Sequence, residues 1–370
     1  MKGLIIWAQS NCRSMMGVYV ALKNAADYPV VIALWHYPEE GSLNLRNKVG
    51  FKSDEFGGVE MIPVGENWEA GKKILDEHPG YMHLFSVYQS SPNFRALIAE
   101  AKRRGERVCV ISEAPCNMTP GWKGWLKELL YIPLILPWKI RGVVNAADCI
   151  FNLSGNDPKP MERIGWPTKK IQPFGYFSPP IPGSSCVMRK TNTPFNLLVT
   201  GIMTWHRAPD VVLEALSILK KIGLPVRATF TQTGPLLESL KTRAAEEGLN
   251  VDFPGFLPME ELIRLYESCS VYVAAGRAEP WGMRLNDAVQ CGAPLAVSRG
   301  MGGAILVDEF SCGVTFDSGD AAALADSLTR LICDNDFYQS CAEGAVRCAR
   351  AIAPEMKAKV LKESLEKLFV

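Results

Sequence analysis

Short apolar runs alternate along this chain with segments whose apolar residues recur at helical spacing. In the first half these runs are Leu4–Trp7, Val30–Leu34, Met82–Ser86, Val108–Ser112 and Cys149–Leu153. Between them lie segments such as Asn93–Arg104, which have helical spacing. Strand runs that alternate with helical segments are typical of βαβ units and parallel sheets. The first half is therefore predicted to be a doubly wound α/β domain.

A stretch rich in proline, glycine and serine, Phe177–Ser185, interrupts the alternation and is predicted to be a linker. The strands predicted beyond it are Phe195–Thr200, Arg227–Thr231, Val251–Phe253, Val271–Ala274, Leu295–Ser298 and Gly313–Phe316. At 370 residues, the chain also exceeds the roughly 250–300 residues at which single cores usually divide. We expect two Rossmann-like domains, 1–180 and 186–353, that face each other across a cleft, which is the natural binding site.

The composition excludes several classes of protein. A formal net charge of +1 disfavours a nucleic-acid binder that relies on a basic face. Eleven cysteines without a CxxC pair, and only four histidines, favour reduced thiols and no metal site. The apolar run at the start is too short for a signal peptide or a membrane span. We expect a cytoplasmic protein without a nucleic-acid partner.

The most informative stretch, residues 276–295, contains two acids around a turn. Glu279 precedes a Pro-Trp-Gly turn, and Asp287 follows eight residues later. Pro280 favours an extended backbone at Glu279, and Gly282 permits a tight turn into a helix that begins near Met283. The backbone amides expected to be free at the start of this helix are those of Met283, Arg284 and Leu285. Free amides at the start of a helix bind anions such as phosphate, and the acids on either side of them can bind sugar hydroxyls. A ligand with phosphates in the middle and a sugar at each end fits this layout, so the stretch predicts a nucleotide-sugar site.

These residues resemble the signature of the retaining GT-B glycosyltransferases of family 4, E-P-x-G-x-x-x-x-E-A-x-x-x-G-x-P. The corresponding residues here are Glu279-Pro280-Trp281-Gly282, Asp287-Ala288 and Gly292-Ala293-Pro294. The resemblance implies that Glu279 holds the donor hexose and that the second acid holds the ribose hydroxyls. Asp287 replaces the usual Glu and is shorter by one methylene, which affects the ribose contact most. The alternative interpretation of the stretch 276–295 is that Glu279 is an acid on a loop and that the helix after it is an ordinary amphipathic helix without a ligand.

The segment Thr200–Ala208 resembles a second family motif, G-R-x-x-x-x-K-G, whose two cations clamp the diphosphate. Arg207 stands at the Lys position, whereas Ile202 replaces the Arg. A diphosphate still needs positive charge, and Arg207 can supply forked contacts. We expect a further cation, Arg284 or Arg277, to compensate for Ile202. The alternative is that Arg207 is a surface residue on a loop.

Three further segments match the family's order of motifs around the donor. Thr231–Pro235 resembles the strand exit beneath the nucleotide, and the backbone at Phe256 and Leu257 corresponds to the segment that meets the base edge. Gly300–Gly303 corresponds to a glycine turn that approaches the donor. The donor-binding residues implied by the resemblance are Gly201, Thr233, Gly234, Phe256, Leu257, Gly282, Met283, Arg284, Leu285 and Asp287.

The first half gives weaker signals. A polar loop, Gln9–Gly17, follows the first strand where the family has a Gly-Gly loop, and Ser14 and Gly17 could approach the donor or acceptor. Glu113 ends another strand and is the candidate for an acceptor-side base or orienting group. It is equally compatible with an acid that caps the next segment.

The resemblance implies transfer of a hexose with retention, in which the leaving diphosphate accepts the acceptor's proton. It also implies a UDP- or GDP-sugar donor, no further cofactor and no metal, because donors on the protein can stabilise the phosphate charge. In relatives the last helix crosses back onto the first domain, and we expect the same of helix 354–370. The predicted fold class is α/β, GT-B.

Residues 121–141 combine three Trp, one Tyr and a dense aliphatic run with four Lys or Arg residues. This composition suits a membrane interface, aided by the nearby Lys102, Arg103 and Arg104. We therefore expect a glycan or polyprenyl-diphosphate-linked acceptor at the inner face of the cytoplasmic membrane. The alternative is a buried pair of core helices with snorkelling lysines.

Other functions remain open on the same architecture. A sugar-nucleotide epimerase would need paired acid and base groups in the first domain, and none is evident. A glycan phosphorylase would need a covalently bound pyridoxal cofactor. Ile202, Asp287 and the missing Gly-Gly loop would suit a catalytically degenerate scaffold.

Overall fold

The computed structural model describes residues 2–10, 13–36, 59–86, 88, 91–190 and 194–368. The chain divides into two compact units. The first comprises Met1–Pro115, Trp125–Pro179 and Pro354–Val370, and the second comprises Cys116–Gly124 and Pro180–Ala353. The segment Cys116–Gly124 thus groups with the second unit, although it lies within the range 1–180 expected for the first domain.

The first unit contains a parallel sheet, seven-stranded in its described residues, with the order β3-β2-β1-β4-β5-β6-β7. Its strands are β1 Leu4–Ser10, β2 Val30–His36, β3 Ile62–Pro63, β4 Met82–Ser86, β5 Val108–Ser112, β6 Cys149–Asn152 and β7 Ile171–Pro173. Strands β4, β5 and β6 are buried at every position. Such continuous burial is expected when helices cover both faces of a parallel sheet.

Among the described residues of this half of the chain, the helices are α1 Arg13–Ala25, α2 Trp68–Glu77, α3 Pro92–Arg103, α4 Gly121–Leu126, α5 Leu136–Ala146 and α6 Lys159–Glu162. A π-helix, Lys127–Ile135, joins α4 to α5, and a short 3₁₀ helix covers Thr168–Lys170. Helix α3 shows how the sequence determines where a helix begins. Pro92 occupies its first turn, and the Ser91 hydroxyl accepts a hydrogen bond from the Phe94 amide.

The second unit contains a parallel sheet, six-stranded in the part of the chain described, with the order β10-β9-β8-β11-β12-β13. Its strands are β8 Phe195–Val199, β9 Val226–Thr231, β10 Val251–Gly255, β11 Val271–Ala274, β12 Leu295–Ser298 and β13 Gly313–Phe316. Its helices are α7 Pro209–Lys221, α8 Leu237–Glu246, α9 Met259–Ser268, α10 Arg284–Gln290, α11 Ile305–Phe310, α12 Ala321–Cys333 and α13 Asn335–Ala351. Short 3₁₀ helices cover Trp205–Arg207 and Gly302–Ala304.

The last helix, α14 Pro354–Lys367, belongs to the first unit although it follows the second in sequence. It packs against α1. Lys362 of α14 also pairs with Asp27, just beyond the end of α1, at 3.1 Å. Buried Ala358, Leu361 and Leu365 form the apolar side of α14.

The predicted loop Gln9–Gly17 is wrong over most of its length. Strand β1 continues to Ser10, and Gly17 lies inside α1, whereas Asn11 and Cys12 lie outside the described residues. A Cβ on Gly17 would lie 3.0 Å from Pro179 Cδ and 3.3 Å from Pro354 Cγ. Gly17 therefore permits close packing within the first unit. Buried side chains at helical spacing account for the helix: Met15, Met16, Val18, Tyr19 and Leu22.

Candidate functional site

The order of the second sheet reverses between β8 and β11, which are neighbours although β9 and β10 intervene in sequence. In open parallel sheets, ligands bind at such a switch point, outside the carboxyl ends of the strands. Backbone hydrogen bonds join the loops that follow four strands here. The bonds run from the Met203 amide to Thr233 O (2.9 Å), from the Arg277 amide to His206 O (2.7 Å), and from the Glu279 amide to Gly300 O (3.1 Å). The four loops thus form one connected rim.

Glu279 is fixed in this rim by its backbone. Besides its bond to Gly300, its carbonyl accepts a hydrogen bond from the Gly302 amide at 3.1 Å. Its side chain is 15% exposed, and its Oε1 atom lies 3.5 Å from Nη2 of Arg207. A largely buried acid and a cation are therefore in contact at the switch point.

Arg207 reaches Glu279 because Gly201 has no side chain. A Cβ on Gly201 would lie 2.7 Å from Arg207 Nη1, and Gly201 also has a φ of +122°. Ala208, which follows Arg207, adopts a left-handed φ of 51° at the start of α7. Such backbone costs of order 1–3 kcal/mol in a residue other than glycine, and it concentrates at functional sites.

The Pro-Trp-Gly turn is held by two contacts that the sequence did not reveal. Trp281 is buried, and its indole N–H donates to Oδ1 of the buried Asn286 at 3.1 Å. Gly282 has a φ of +95°, and a Cβ there would lie 2.4 Å from Met301 Cε. In sequence Asn286 is one of several polar residues of this helix and gave no signal, and neither did Met301.

One of the three amides expected to be free is engaged. The helix α10 is preceded by a tight turn in which the Leu285 amide donates to Gly282 O at 2.9 Å. In the described chain, the amides of Met283 and Arg284 have no backbone acceptor. The prediction is therefore corrected for Leu285, because the turn permitted by Gly282 satisfies that amide internally.

Arg284 lies beside a buried cluster of hydroxyl groups. Thr200, which directly follows β8, has its Oγ1 atom 3.1 Å from Tyr266 Oη and 3.0 Å from Tyr272 Oη. Nη1 of Arg284 lies 3.5 Å from the same Thr200 atom. Burial opposes the guanidinium charge, but Tyr266, Tyr272 and Asp287 outweigh it, so the pKa of Arg284 is raised. Arg284 stays charged beside the end of β8.

The two tyrosines of this cluster remain neutral. Burial, with Tyr272 and Asp287 nearby, raises the pKa of Tyr266 well above its ordinary value. Burial likewise raises the pKa of Tyr272 to about 12. Both hydroxyls therefore act only as hydrogen-bonding groups near neutral pH.

Arg277, the other candidate for an additional cation, is committed elsewhere. Its guanidinium contacts both carboxylate oxygens of Asp210, at 3.0 and 2.6 Å, and donates to Trp205 O at 2.7 Å. It also lies over the Trp205 ring, 5.4 Å from its centroid. Of the two candidates, Arg284 is the one beside the end of β8.

The nucleotide-side residues continue the rim toward β9 and β10. A Cβ on Gly234 would lie 2.6 Å from both the N and O atoms of Met203, so this glycine allows two backbones to meet. Thr233 accepts the Met203 amide, as described above. Beyond β10, Phe256 is exposed and Leu257 is partly buried. Asp287 lies in the first turn of α10 and is partly buried.

Glu113 and Gly17 belong to the first unit. Glu113 is exposed and directly follows β5, at the carboxyl end of that strand. The next helix begins only at Gly121. Glu113 therefore does not act as its N-cap, and the alternative of a capping acid is not supported for that helix.

Comparison with known proteins gives the second unit a family. Residues 188–347 match the family model Glycosyl transferases group 1. Over 192 residues the chain is 30% identical to a D-inositol 3-phosphate glycosyltransferase of Corynebacterium jeikeium, covering 49% of this chain and 46% of that protein. Over 146 residues it is 31% identical to an amylovoran biosynthesis glycosyltransferase of Erwinia amylovora, covering 37% and 36% respectively. The chain thus matches less than half the length of either relative.

The fold of the whole chain is similar to that of solved glycosyltransferases. The Anabaena protein HepE, solved in complex with UDP, superposes with a TM-score of 0.65 over 99% of this chain and 100% of that chain, at 15% identity. This likeness establishes the fold, and it confirms the expected α/β, GT-B class. The chain has the GT-B fold, and its residues 188–347 are similar to the glycosyl transferases group 1.

Proposed function

We propose that this protein is a retaining hexosyltransferase. It transfers a hexose from a nucleotide-diphosphate sugar to a hydroxyl of a glycan or lipid-linked saccharide, in the synthesis of cell-surface polysaccharide or glycolipid. The observation that carries this proposal is the pair formed by Glu279 and Arg207, 3.5 Å apart at the switch point of the second sheet. The UDP complex of the Anabaena protein, and the GDP-mannose dependence of a similar mannosyltransferase of Mycobacterium tuberculosis, support a UDP- or GDP-sugar as the donor.

The donor is proposed to lie along the rim. Its hexose hydroxyls bind Glu279, and its diphosphate lies near Arg207, Arg284 and the amide of Met283. The ribose extends toward Asp287, and the base lies near the residues after β10, Phe256 and Leu257. This order follows the family motif and places Arg207 and Arg284 beside the phosphates.

In the proposed reaction, the bond from the anomeric carbon to the diphosphate breaks, and a bond to the acceptor oxygen forms on the same face. The acceptor's proton passes to the departing diphosphate, so no protein nucleophile is needed. Arg207 and Arg284 stabilise the charge that builds on the diphosphate, in a site without a required metal. His206, next to Arg207, adds no charge near neutral pH, because burial and Arg207 lower its pKa. Glu113 is the proposed acceptor-side group.

One observation favours the alternative of a degenerate scaffold. Ile202, at the position of the family's first diphosphate cation, is half-exposed and presents no charge. A scaffold that has lost donor binding would tolerate this change. Arg284 of α10 lies beside the same strand end and can supply the positive charge that is missing at Ile202, so the change at Ile202 is compatible with catalysis.

Donor binding should be visible as thermal stabilisation. At a hundredfold excess over the dissociation constant, the matching UDP-, GDP- or ADP-sugar is expected to stabilise the protein by about 2.7 kcal/mol. Thermal-shift screening would identify the base, and proton NMR of the product would report the anomeric configuration. Absence of stabilisation by every nucleotide-sugar would favour the scaffold, and an inverted product would contradict retention.

The replacement of the missing cation by Arg284 can be tested with a matched pair of variants. Arg284→Met is expected to weaken donor binding about thirtyfold, because it removes a charge-assisted contact to phosphate. Arg277→Met should leave donor affinity unchanged and cost about 1 kcal/mol of folding stability, because it breaks a partly exposed ion pair. Calorimetric titration and thermal unfolding measure the two effects. Equal loss of affinity in both variants would reject the assignment.

A further inference from the structure

Residues 121–146 form one continuous helical segment: α4, the π-helix Lys127–Ile135, and α5. Pro133 lies inside the π-helix and has no backbone N–H to donate. At the end of the π-helix, the amide of Leu136 donates a hydrogen bond to Tyr131 O, five residues earlier in the chain. π-Helical turns of this kind are rare and often occur at functional sites.

This segment has two apolar faces. Four residues of one face lie in the core of the first unit: Ile132, Leu136, Ile140 and Val143. The other face, here called the aromatic face, is exposed and comprises Trp122, Trp125, Leu129, Leu130, Leu134, Ile135 and Trp138. Trp138 is 80% exposed, Trp122 68% and Trp125 62%. The alternative of a fully buried helix pair is therefore wrong, although it describes one face correctly.

Such exposure in one stretch of chain requires an explanation. Single exposed apolar residues are normal on soluble proteins, but contiguous apolar patches mark interaction surfaces. Trp and Tyr combine an apolar ring with a polar N–H or O–H, and they concentrate at the interface between lipid and water.

The charges around the aromatic face are almost all positive. Lys123, Lys127, Lys139 and Arg141 belong to the segment, and no carboxylate in the described residues forms an ion pair with them. The single acid of residues 121–141, Glu128, is neutralised by an ion pair with Arg163. The expectation that Lys102, Arg103 and Arg104 also contribute to membrane binding is not supported. Their side chains pair with Asp148, Glu100 and Asp76.

We propose that the aromatic face docks the protein on the surface of an anionic lipid bilayer. The Trp side chains lie among the headgroups, while the four basic residues contact lipid phosphates. Binding is peripheral: in the described part of the chain, no helix is both long and apolar enough to cross a membrane. The docking does not rest on the proposed function, but it extends it, because the acceptor would then be presented in that membrane.

A second copy of the chain is a less suitable occupant. A twofold dimer places the same surface on both partners, so the lysines and arginine around the aromatic face would meet their own equivalents. Like charges then oppose association, whereas anionic headgroups neutralise them. The charge pattern therefore favours lipid over self-association.

Vesicle flotation of the full chain tests the proposal. The wild type is expected to float with vesicles of equal parts phosphatidylcholine and phosphatidylglycerol, to bind phosphatidylcholine vesicles much more weakly, and to dissociate as salt rises. The variant with Trp122→Ala, Trp125→Ala and Trp138→Ala should lose at least tenfold in vesicle affinity. The control, with Ile222→Ala, Met356→Ala and Val360→Ala, removes exposed apolar side chains elsewhere and should bind like wild type.

A charge variant separates the electrostatic part. Because each basic residue near an anionic surface gives roughly a fivefold gain in affinity, Lys127→Gln, Lys139→Gln and Arg141→Gln together should lower it about a hundredfold. Unchanged thermal stabilisation by donor in all variants would show that they are folded, whatever the flotation result. Negligible flotation of wild type would overturn the proposal. So would a wild-type dimer that becomes monomeric in the Trp variant.

Discussion

Replacing Glu279 by Gln is expected to lower kcat/KM for sugar transfer about a thousandfold, equivalent to ~4 kcal/mol of transition-state stabilisation. The substitution keeps the shape of the side chain but removes its negative charge. The charge is needed because Glu279 is the proposed acceptor of hexose hydroxyl groups and is also the partner of Arg207 at 3.5 Å. Initial rates of transfer at several donor concentrations measure the loss.

The control for Glu279→Gln is Glu246→Gln, which removes the same charge from an exposed position at the end of α8. It should leave both rate and stability unchanged. Thermal unfolding of Glu279→Gln should also remain close to wild type, because the backbone bonds to Gly300 and Gly302 hold that loop. A Glu279→Gln enzyme with full activity would reject the proposed role of this carboxylate.

The sheet could be predicted from sequence where strands are buried on both faces. Strands β4, β5, β11 and β12 have the predicted bounds because each is a short and almost completely buried run, as expected inside a parallel sheet. The edge strand β13 also has the predicted bounds, although only Phe316 in it is buried. The edge strands β3 and β7 were missed. They have only two and three residues, with a proline in each, so they offer no apolar run.

The first turn of α1 shows how polar residues can conceal a helix. Arg13 and Ser14 follow the polar residues at the end of β1 and resemble a loop in sequence. The buried Met15, Val18 and Leu22 determine the outcome, because their common face packs into the core. Local polarity gave the wrong prediction, and helical spacing over a longer window would have given the right one.

In the candidate site, some residues could be identified from the local sequence, whereas others depend on contacts that form only in the folded protein. Glu279 and Gly282 could be identified because the family motif is contiguous in sequence. The support of Gly282 by Met301 could not, because that contact joins loops after two different strands. The surroundings of Arg284 could not be predicted for the same reason: Thr200 directly follows β8, and Tyr272 lies in β11. Sequence named the groups, but only the folded sheet shows which of them meet.

Replacing Arg207 by Ala is expected to lower kcat several hundredfold while weakening donor binding much less. The guanidinium crosses Gly201 and reaches Glu279, so it lies where the bond to the leaving diphosphate is proposed to break. Charge on the diphosphate grows as this bond breaks, and removal of one preorganised donor in such a position costs about 10²–10³ in kcat. Single-turnover rates at saturating donor, together with calorimetric donor affinity, separate the two quantities.

Two further variants identify the cause of the Arg207→Ala effect. Arg207→Lys should recover part of kcat, because it restores the charge without the forked geometry. Arg243→Ala, which removes a partly exposed arginine of α8 that pairs with Glu247, should leave kcat unchanged. A fall in donor affinity that matches the fall in kcat/KM, with kcat intact, would mean that Arg207 binds the ground state and transition state equally. That result would contradict a role for Arg207 in stabilising the departing diphosphate.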